Sequence, residues 1–318
     1  MRARHWVKIL VFSILIVIKL PPTSMSNIVK NYQKVLHTLL PVYEQFENSP
    51  KPGRKPKMSD IEVVALSLTA EYMSIDSENS LFNQLQGATM DNLIERSQFN
   101  KRRRQLFGLA EKIRKELSRS FVEDEDCFIV DSMPMEICKW SRHGRAKICK
   151  DDYRTSPEKG YCASQSSWFY GYKLHGVCTI SGVFTSLEIT KANVHDIAFL
   201  NEVKNQLSDC VLLGDKGYLS ASWQTDLFET VNISLETPMR SNQKHYRKQP
   251  FVFRKARKRI ETLFSQLCDQ FMIRRNYAKS FLGFKTRVLS KITAMTTVQF
   301  INKFDFNRNI NNLKIQIS

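Results

Sequence analysis

The stretch CVLLGDKGYL, residues 210–219, decides the fold of this chain. A short apolar run, Cys210–Leu213, ends in a glycine and then an aspartate, Asp215, and a helix signal follows at Ser220. In an α/β protein this pattern indicates a buried strand that delivers a carboxylate to its carboxyl edge, where ligands and metals bind. An aspartate after a strand is also a common turn or helix cap, so its meaning depends on whether other carboxylates reach the same edge.

Two further acidic residues occupy comparable positions. Asp131 ends the apolar run CFIVD, residues 127–131, and Glu261 lies on the flank of a long helix that begins near Phe253 and carries one apolar stripe. Strands and helices alternate from residue 127 onward, which predicts an α/β fold in which the three carboxylates can converge. Hard divalent cations prefer such oxygen ligands, and two ions about 4 Å apart support phosphoryl transfer. Alternatively, Glu261 forms only a surface pair with Arg257.

The charge balance indicates a polyanionic partner. The 318 residues contain 48 Lys and Arg against 31 Asp and Glu, a formal net charge of +17. Nucleic acid and an anionic membrane both fit this excess, and a generally basic protein is the alternative. No Ser-His-Asp grouping and no phosphate-binding G-x-x-x-x-G-K motif is present, which disfavours hydrolase triads and nucleotide hydrolases.

The first 24 residues differ from the rest of the chain. A basic start precedes the apolar residues 9–18 and two prolines, which imitates a signal peptide without its cleavage site. We interpret 1–24 as a non-native extension from an upstream start codon and Met25 as the true start, with a membrane anchor as the alternative. Seven cysteines without a C-x-x-C pair predict reduced cytosolic thiols, and neither a disulfide framework nor a zinc site. Association with a membrane is not expected.

Residues 25–120 predict a small all-helical domain. Ser59 and Glu62 form a capping box, and Ser97 can cap a helix that carries the basic run KRRR, residues 101–104. This block is compatible with a helix-turn-helix-like DNA reader, in which Arg102 and Arg103 contact DNA. A helical cap with a solvated charged face is the alternative.

The connection at residues 137–162 has seven basic residues against three acidic ones, and aromatic residues are interleaved among them. Basic residues mixed with aromatics suit phosphate contact and base stacking, while a solvated loop is the alternative. The predicted DNA contacts here are Lys139, Arg142, Arg145 and Lys147. Further along, Ser181 and Gly182 predict a hairpin turn between two antiparallel strands.

Five ordered motifs carry a family resemblance. They are FIVDSMP (128–134), GYKLHGV (171–177), TKANVHD (190–196), LLGDKGYL (212–219) and RKRIETLFSQL (257–267). Together they resemble the DDE transposases of bacterial insertion sequences, and the insertion sequence 982 family most of all. The resemblance extends from Met25 to Phe304 and leaves residues 1–24 outside.

The resemblance implies a ribonuclease H-like (RNase H-like) α/β core, a mixed sheet flanked by helices, at residues 121–304. It implies that Asp131, Asp215 and Glu261 are the catalytic triad and hold Mg²⁺, for which Mn²⁺ could substitute. The implied activity is cleavage at terminal inverted repeats and strand transfer into target DNA. The implied setting is the nucleoid of a bacterial cytoplasm, with a homo-oligomer on paired ends. The tail, 305–318, is expected to be frayed.

The chain departs from the family pattern on its last catalytic helix. Related transposases often have a Tyr, Arg, Glu, Lys signature there, and this chain has Arg254 and Cys268 at the tyrosine and lysine positions. Lys216, Lys258 and Arg259 are candidates to supply charge near the DNA, and Arg257 is the retained arginine. Two alternatives stay open, a nuclease without strand transfer and a domesticated transposase that binds DNA without catalysis.

Overall fold

The computed structural model describes residues 27–46, 53–88, 90–123, 125–243 and 246–317. Five helices come first: α1 (Asn27–Glu44), α2 (Asp60–Tyr72), α3 (Glu78–Leu85), α4 (Arg96–Gln105) and α5 (Phe107–Arg119). The strands are β1 (Cys127–Glu136), β2 (Glu158–Cys162), β3 (Ser167–Thr179), β4 (Phe184–Lys191), β5 (Cys210–Leu213) and β6 (Ile233–Glu236). The other helices are α6 (Leu200–Lys204), α7 (Ala221–Val231), α8 (Phe251–Asp269) and α9 (Phe281–Phe300).

The six strands of the described residues form one mixed sheet. β3 runs antiparallel to β1, and its two halves pair with β2 and with β4 on the other side. β5 runs parallel to β1, and β6 runs parallel to β5. The antiparallel half is therefore built from a hairpin, and the parallel half needs the crossovers that α6 and α7 supply.

Helices cover both faces of the sheet. Alternate residues of β1 point to opposite sides, so Ile129 packs with α8 and α9 while Phe128 and Val130 pack with α6 and α7. The fold is thus α/β, with a mixed sheet flanked by helices, and it fits the predicted RNase H-like architecture.

Two glycines permit the tight geometry of the antiparallel half. Gly182 has φ of +100° in the short turn between β3 and β4, which confirms the predicted hairpin. Gly171 has φ of +155°, and a Cβ at this position would lie 2.2 Å from the carbonyl oxygen of Met135 on β1. A side chain at residue 171 would therefore force the two paired strands apart.

The N-terminal helices are not separated from the sheet by a linker of few contacts. The predicted capping box begins α2. The Ser59 side chain accepts a hydrogen bond from the Glu62 backbone N–H, and the Glu62 carboxylate accepts one from the Ser59 backbone N–H. α2 and α5 pack on α9 within the same hydrophobic core that contains α8 and one sheet face. The fully buried guanidinium of Arg114 on α5 donates to the carbonyl oxygens of Phe184 and Thr185 at β4. The helices are present as predicted, but they form one body with the sheet.

The C-terminal tail differs from the expectation of a frayed segment. Leu313 and Ile317 are buried, and the Tyr72 hydroxyl donates to the carbonyl oxygen of Ile315. Apolar residues at the end of an Asn-rich stretch are sufficient to anchor it against α2.

Residues 1–24 lie outside the described residues. Within the part of the chain that the structure describes, no helix is long and apolar enough to cross a membrane.

Candidate active site

Asp131 and Asp215 lie at the same level of the sheet on neighbouring parallel strands. The last paired residues of β1 and β5 are Ile129 and Leu213, and each aspartate comes two residues after its partner in that pair. β1 continues beyond this point without β5 beside it, so the strands leave a gap at the edge of the sheet. The sequence pattern of an apolar run followed by aspartate therefore predicts this meeting point correctly for both strands.

The pKa of the Asp131 carboxyl group is raised by its surroundings. Its Oδ1 accepts a hydrogen bond of 2.8 Å from the Ser132 backbone. Burial raises the pKa of Asp131 to about 7, and the charges of Asp215 and Asp196 also raise it, whereas the hydrogen bond and Arg257 lower it. Burial first, and then the like-charged neighbours, therefore favour the protonated form of this carboxyl group.

Asp215 begins a short 3₁₀ turn, Lys216–Tyr218, and its Oδ1 accepts a 2.8 Å hydrogen bond from Gly217 N. The residue is therefore a cap, as its position after a strand suggests, and it also faces Asp131. The second oxygen of its carboxylate has no hydrogen bond within the described residues. Capping and ligand binding are compatible because one oxygen serves each purpose.

A third aspartate, Asp196, reaches the same place. Its Oδ1 accepts hydrogen bonds from Ser132 Oγ at 3.0 Å and from Lys173 Nζ at 2.9 Å. A Cβ placed on Gly217 would lie 2.9 Å from Asp215 Oδ1 and 3.6 Å from Asp196 Oδ2, so only a glycine-sized residue separates the two carboxylates. Sequence reasoning missed Asp196 as a site residue, although it ends the TKANVHD motif. β3 pairs with β1 and with β4, and the turn after β4 then carries Asp196 to the site. No local sequence pattern predicts this position.

Two buried side chains next to these aspartates have unpaired polar atoms. The Tyr218 hydroxyl has no hydrogen-bond partner in the described structure, and burial, followed by Asp196, Asp131 and Asp215, raises its pKa. Tyr218 is 1% exposed, so it packs beneath the protein surface next to the aspartates and cannot contact a DNA end. Burial lowers the pKa of His175 to about 4, against the opposing effect of Asp196, so its imidazole is neutral at pH 7.

Glu261 does not lie with the aspartates. It is exposed on α8, whereas Arg257, one turn earlier, acts on the pKa of Asp131. No group of three or more His, Cys, Asp or Glu side chains close enough to hold a metal ion occurs in the described residues. The helical spacing predicts that Arg257 and Glu261 share a side of α8, but it does not determine how far along the sheet each residue lies.

The pair Asp131 and Asp215 nevertheless fits a divalent cation. Each presents a carboxylate oxygen that the protein leaves unpaired, and the like charges raise the pKa of Asp131. A hard cation takes oxygen ligands of this kind and would compensate the repulsion. Two of the three predicted ligands are therefore together, and the third position is not assembled.

Two of the predicted DNA contacts, Arg102 and Arg103, are turned inward and form ion pairs within the protein. The Arg102 guanidinium binds Asp60 Oδ1 at 2.7 Å and also donates to the carbonyl oxygen of Met58. Arg103 is 8% exposed and binds Glu71 and Glu78. These ion pairs hold α4 against α2 and α3, and within the described residues Nε of Arg103 is left without a partner. The exposed members of the run are Lys101 and Arg104.

The predicted contacts on the connection after β1 are all exposed: Lys139, Arg142, Arg145 and Lys147. They adjoin a cluster of rings in which Trp140 stacks on His143 at 4.5 Å and Tyr161 lies 5.4 Å from Trp168. Trp140, Tyr161 and Trp168 are 39%, 50% and 57% exposed, which is unusual for such large rings. Basic side chains and accessible rings therefore form one surface.

The remaining predicted DNA contacts follow β5 or lie on α8. Lys216 follows Asp215 directly and is exposed, and Lys258 is exposed on α8. Arg257 is half-buried, and its charge lowers the pKa of Asp131. Lys216 and Arg257 therefore bring positive charge to the carboxylate pair, one next to Asp215 in sequence and one through its effect on Asp131.

The raised pKa of Asp131 predicts a pH dependence of stability in protein stripped of divalent cations. The folded state keeps this proton up to about pH 7, whereas the unfolded chain releases it near pH 3.8. Because the native state binds more protons in this window, the unfolding free energy falls as pH rises from about 4 to 7. Asp131→Asn should therefore be more stable than the wild type at pH 8, by on the order of 2 kcal/mol, and equal to it at pH 4.

Chemical denaturation in a chelating buffer at the two pH values measures this difference. Asp226→Asn is a matched control, because the Asp226 side chain on α7 is 43% exposed and forms an ion pair with Lys204 at 2.9 Å. A gain for Asp131→Asn that is the same at both pH values would show that the carboxyl proton is not its cause.

Comparison with known proteins assigns the family. Residues 123–297, more than half of the chain, match the family described as "Transposase DDE domain". The chain therefore belongs to the transposase DDE domain family. This family comprises enzymes of phosphoryl transfer on DNA that use divalent metals.

Similarity to individual proteins is weak. Among solved structures, the chain resembles the Mos1 transposase paired-end complex with left transposon end, at 11% identity over 82% of this chain and 85% of that chain. The TM-score of 0.21 is too low for this likeness to support an argument. No curated protein sequence matches the chain significantly.

Proposed function

We propose that this chain is the transposase of a bacterial insertion sequence similar to the insertion sequence 982 family. It binds the terminal inverted repeats, cleaves the DNA there and transfers the freed ends to target DNA. The observation that carries the proposal is the meeting of Asp131 and Asp215 beyond the last pair of two parallel strands, inside the matched DDE domain. The homo-oligomer on paired ends and the place in the nucleoid remain expectations from the resemblance.

Asp131 and Asp215 hold the catalytic Mg²⁺ in this proposal, and Mn²⁺ could replace it. A bound divalent cation would supply Lewis-acid activation of the attacking oxygen and stabilise the leaving oxygen. Asp131 must lose its proton to act as a ligand, and the nearby guanidinium of Arg257 favours that loss. Lys173 neutralises Asp196 at 2.9 Å, which limits the negative charge that an approaching phosphate meets.

The basic surfaces around the aspartates bind the DNA backbone. Lys216, Arg257 and Lys258 lie nearest the proposed scissile phosphate, and Lys139, Arg142, Arg145 and Lys147 extend the contact along the connection after β1. The exposed rings of Trp140 and Trp168 can stack with unpaired bases at a cleaved end. Of the helical block, residues 25–120, we propose that Lys101 and Arg104 face the DNA.

A strand-transfer assay tests the function. The purified chain is incubated with a linear donor that carries the ends of the element, a target plasmid and Mg²⁺. Joined donor and target support a transposase, and products that are cut but never joined indicate a nuclease. A chain that binds the donor without cutting it is a domesticated transposase. Inverted repeats bracketing the gene, with short direct repeats outside them, would give independent support from the flanking DNA.

The third carboxylate is the most testable part of the site. We propose Glu261 for that role, which requires a movement of α8 toward the aspartates when DNA and metal bind. Glu261→Gln should then lower strand transfer by about a thousandfold, because a lost metal ligand removes several kcal/mol of transition-state stabilisation.

Asp196 is a positioning residue that acts through Ser132 and Lys173. Asp196→Asn should slow the reaction only about tenfold and raise the Mg²⁺ concentration needed for half the maximal rate.

Rates measured across a Mg²⁺ titration separate the two acids. Glu229→Gln is the matched control, because this glutamate is exposed on α7. If Glu261→Gln retains the wild-type rate while Asp196→Asn has none, the third carboxylate is Asp196 and not Glu261.

A further inference from the structure

A cavity of about 460 Å³ lies where α4 meets the start of α9 and the loop before it. Four cationic side chains line it, against the single carboxylate of Glu78. The four are Arg103, Arg104, Lys279 and Arg287. Such an excess of one charge in a concave space is favourable only for an anion.

The first turn of α9 adds to the positive potential of the cavity. The helix has 20 residues, its N-cap is Ser280, and its first turn contains no acidic residue. Ser280 and Gly283 both line the cavity, and the Ser280 side chain accepts from Gly283 N at 3.2 Å. A helix of this length contributes a partial positive charge at its N-terminus, where anions are stabilised.

Arg103 provides a separate indication that the cavity suits an anion. It is 8% exposed, yet its Nε has no hydrogen-bond partner within the described part of the chain. Glu78 does not satisfy this group, because its carboxylate also accepts two contacts from Asn100 Nδ2, at 2.7 and 2.6 Å. A buried guanidinium donor without an acceptor is costly, and an anionic oxygen in the cavity would remove that cost.

The electrostatic state of Arg287 agrees with this picture. Its Nη1 donates to the carbonyl oxygen of Asp76 at 2.9 Å. Burial and the neighbouring Arg103 lower the pKa of Arg287, whereas Glu71, Glu78 and Asp76 raise it. The two arginines therefore repel each other across the cavity wall despite the acidic residues around them.

The loop that lines the cavity contacts the basic connection after β1. Cys149 N donates to the carbonyl oxygen of Lys279 at 2.7 Å, and Phe281 N donates to Asp151 Oδ1 at 3.3 Å. Arg274 and Arg275 in the loop before α9 are exposed beside it. A polyanion that contacts Lys147 would therefore pass close to the mouth of the cavity, whereas a small free anion would not need this extended surface.

We propose that the cavity binds a backbone phosphate of the element DNA, so that α4 and the start of α9 grip the duplex away from the catalytic aspartates. This inference rests on the proposed transposase function. Arg104 and Lys279 are the exposed contacts, and Arg103 donates from the buried wall through Nε. Phosphate contacts fix the position of DNA without reading its sequence.

Equilibrium binding of a fluorescein-labelled duplex, measured by anisotropy over a range of salt concentrations, tests the proposal on the full chain. The double variant Arg104→Ala, Lys279→Ala should bind about tenfold more weakly, and its plot of log affinity against log salt should be shallower by about 0.9 for each phosphate that the variant no longer neutralises. Both residues are exposed, so the variant should keep the melting temperature of the wild type. The matched control is Lys30→Ala, Lys112→Ala, which removes two exposed lysines from α1 and α5.

Unchanged affinity and slope in the cavity variant would overturn the inference, and so would an equal weakening in the control, since that weakening would report bulk charge alone. A wild-type chain that does not bind duplex in a salt-dependent way would overturn the proposed function itself. Inorganic phosphate supplies a further arm, measured by thermal unfolding against chloride at matched ionic strength. If phosphate stabilises the wild type but not the double variant, while DNA affinity is the same for both, the cavity is a site for a free anion and not for DNA.

Discussion

Replacing Asp215 with asparagine is expected to lower end cleavage and strand transfer by about a thousandfold, while DNA binding is retained. The asparagine side-chain oxygen can still accept from Gly217 N, so the turn at Lys216–Tyr218 persists. The variant lacks the charge that holds a divalent cation beside Asp131. Loss of that ligand removes several kcal/mol of transition-state stabilisation, which corresponds to the expected fall in rate.

A control for this experiment lies at the other end of the same strand, β5. Asp209 precedes β5 as Asp215 follows it, and its exposed carboxylate accepts from Asn232 Nδ2 at 3.0 Å. Asp209 has φ of +53°, a conformation that asparagine also adopts readily, so Asp209→Asn should be as active as the wild type. Rates of donor cleavage and joining, with anisotropy for DNA binding, give the comparison. Undiminished strand transfer by Asp215→Asn would refute the catalytic assignment.

The same pair of variants also reports metal binding without turnover. Mg²⁺ should raise the melting temperature of the wild type and of Asp209→Asn, because binding to the native state alone stabilises it by mass action. Asp215→Asn should show a much smaller rise. An equal rise in all three proteins would place the bound ion elsewhere.

Replacing Glu71 with glutamine is expected to lower the unfolding free energy by about 3–5 kcal/mol. Glu71 on α2 binds Lys291 Nζ of α9 and Arg103 Nη2 of α4, each at 2.5 Å. The side chains of Glu71 and Lys291 are 3% and 1% exposed. The variant therefore leaves the buried ammonium of Lys291 without a counter-charge, and it leaves Arg103 with only the 3.4 Å contact to Glu78. Lys291→Met should cost less, because Glu71 would keep Arg103 as its partner.

Denaturant unfolding of the two single variants and of Glu71→Gln, Lys291→Met measures the coupling. The double variant should be more stable than the sum of the single losses implies, because it removes one uncompensated cation together with its acid. Arg119→Ala is the surface control, since Arg119 pairs with Glu116 but is 69% exposed, and it should change the free energy by less than about 1 kcal/mol. If Glu71→Gln matched this control, the buried network would not hold the helices to α9.

Local sequence patterns predict the parts of this fold that depend on a few neighbouring residues. The apolar runs before Asp131 and Asp215, the turn at Gly182 and the capping box at Ser59 are all of this kind. Each of these patterns predicts one strand, turn or helix start. Parallel pairing of the two strands then brings the aspartates together. The mixed sheet flanked by helices follows from the same elements.

Features that depend on which surface is covered could not be predicted. The basic run on α4 has no mark that separates the inward Arg103 from the outward Arg104, because both fit a charged helical face. The contribution of Asp196 depends on the pairing of strands far apart in sequence. Glu261 shares a helix side with Arg257, but the position of α8 along the sheet decides which of them meets Asp131.

The single hydrophobic core that joins α2 and α5 to α9 restricts how this protein can be engineered and how it can diversify. A chimera joined near residue 121 would have to reproduce the packing of both halves at once, including Arg114 against β4. We therefore expect that helices transplanted from a relative fail to yield a soluble hybrid. New DNA preferences would then arise through substitutions of solvent-facing side chains on an unchanged fold, and not through the exchange of a separable DNA-binding domain.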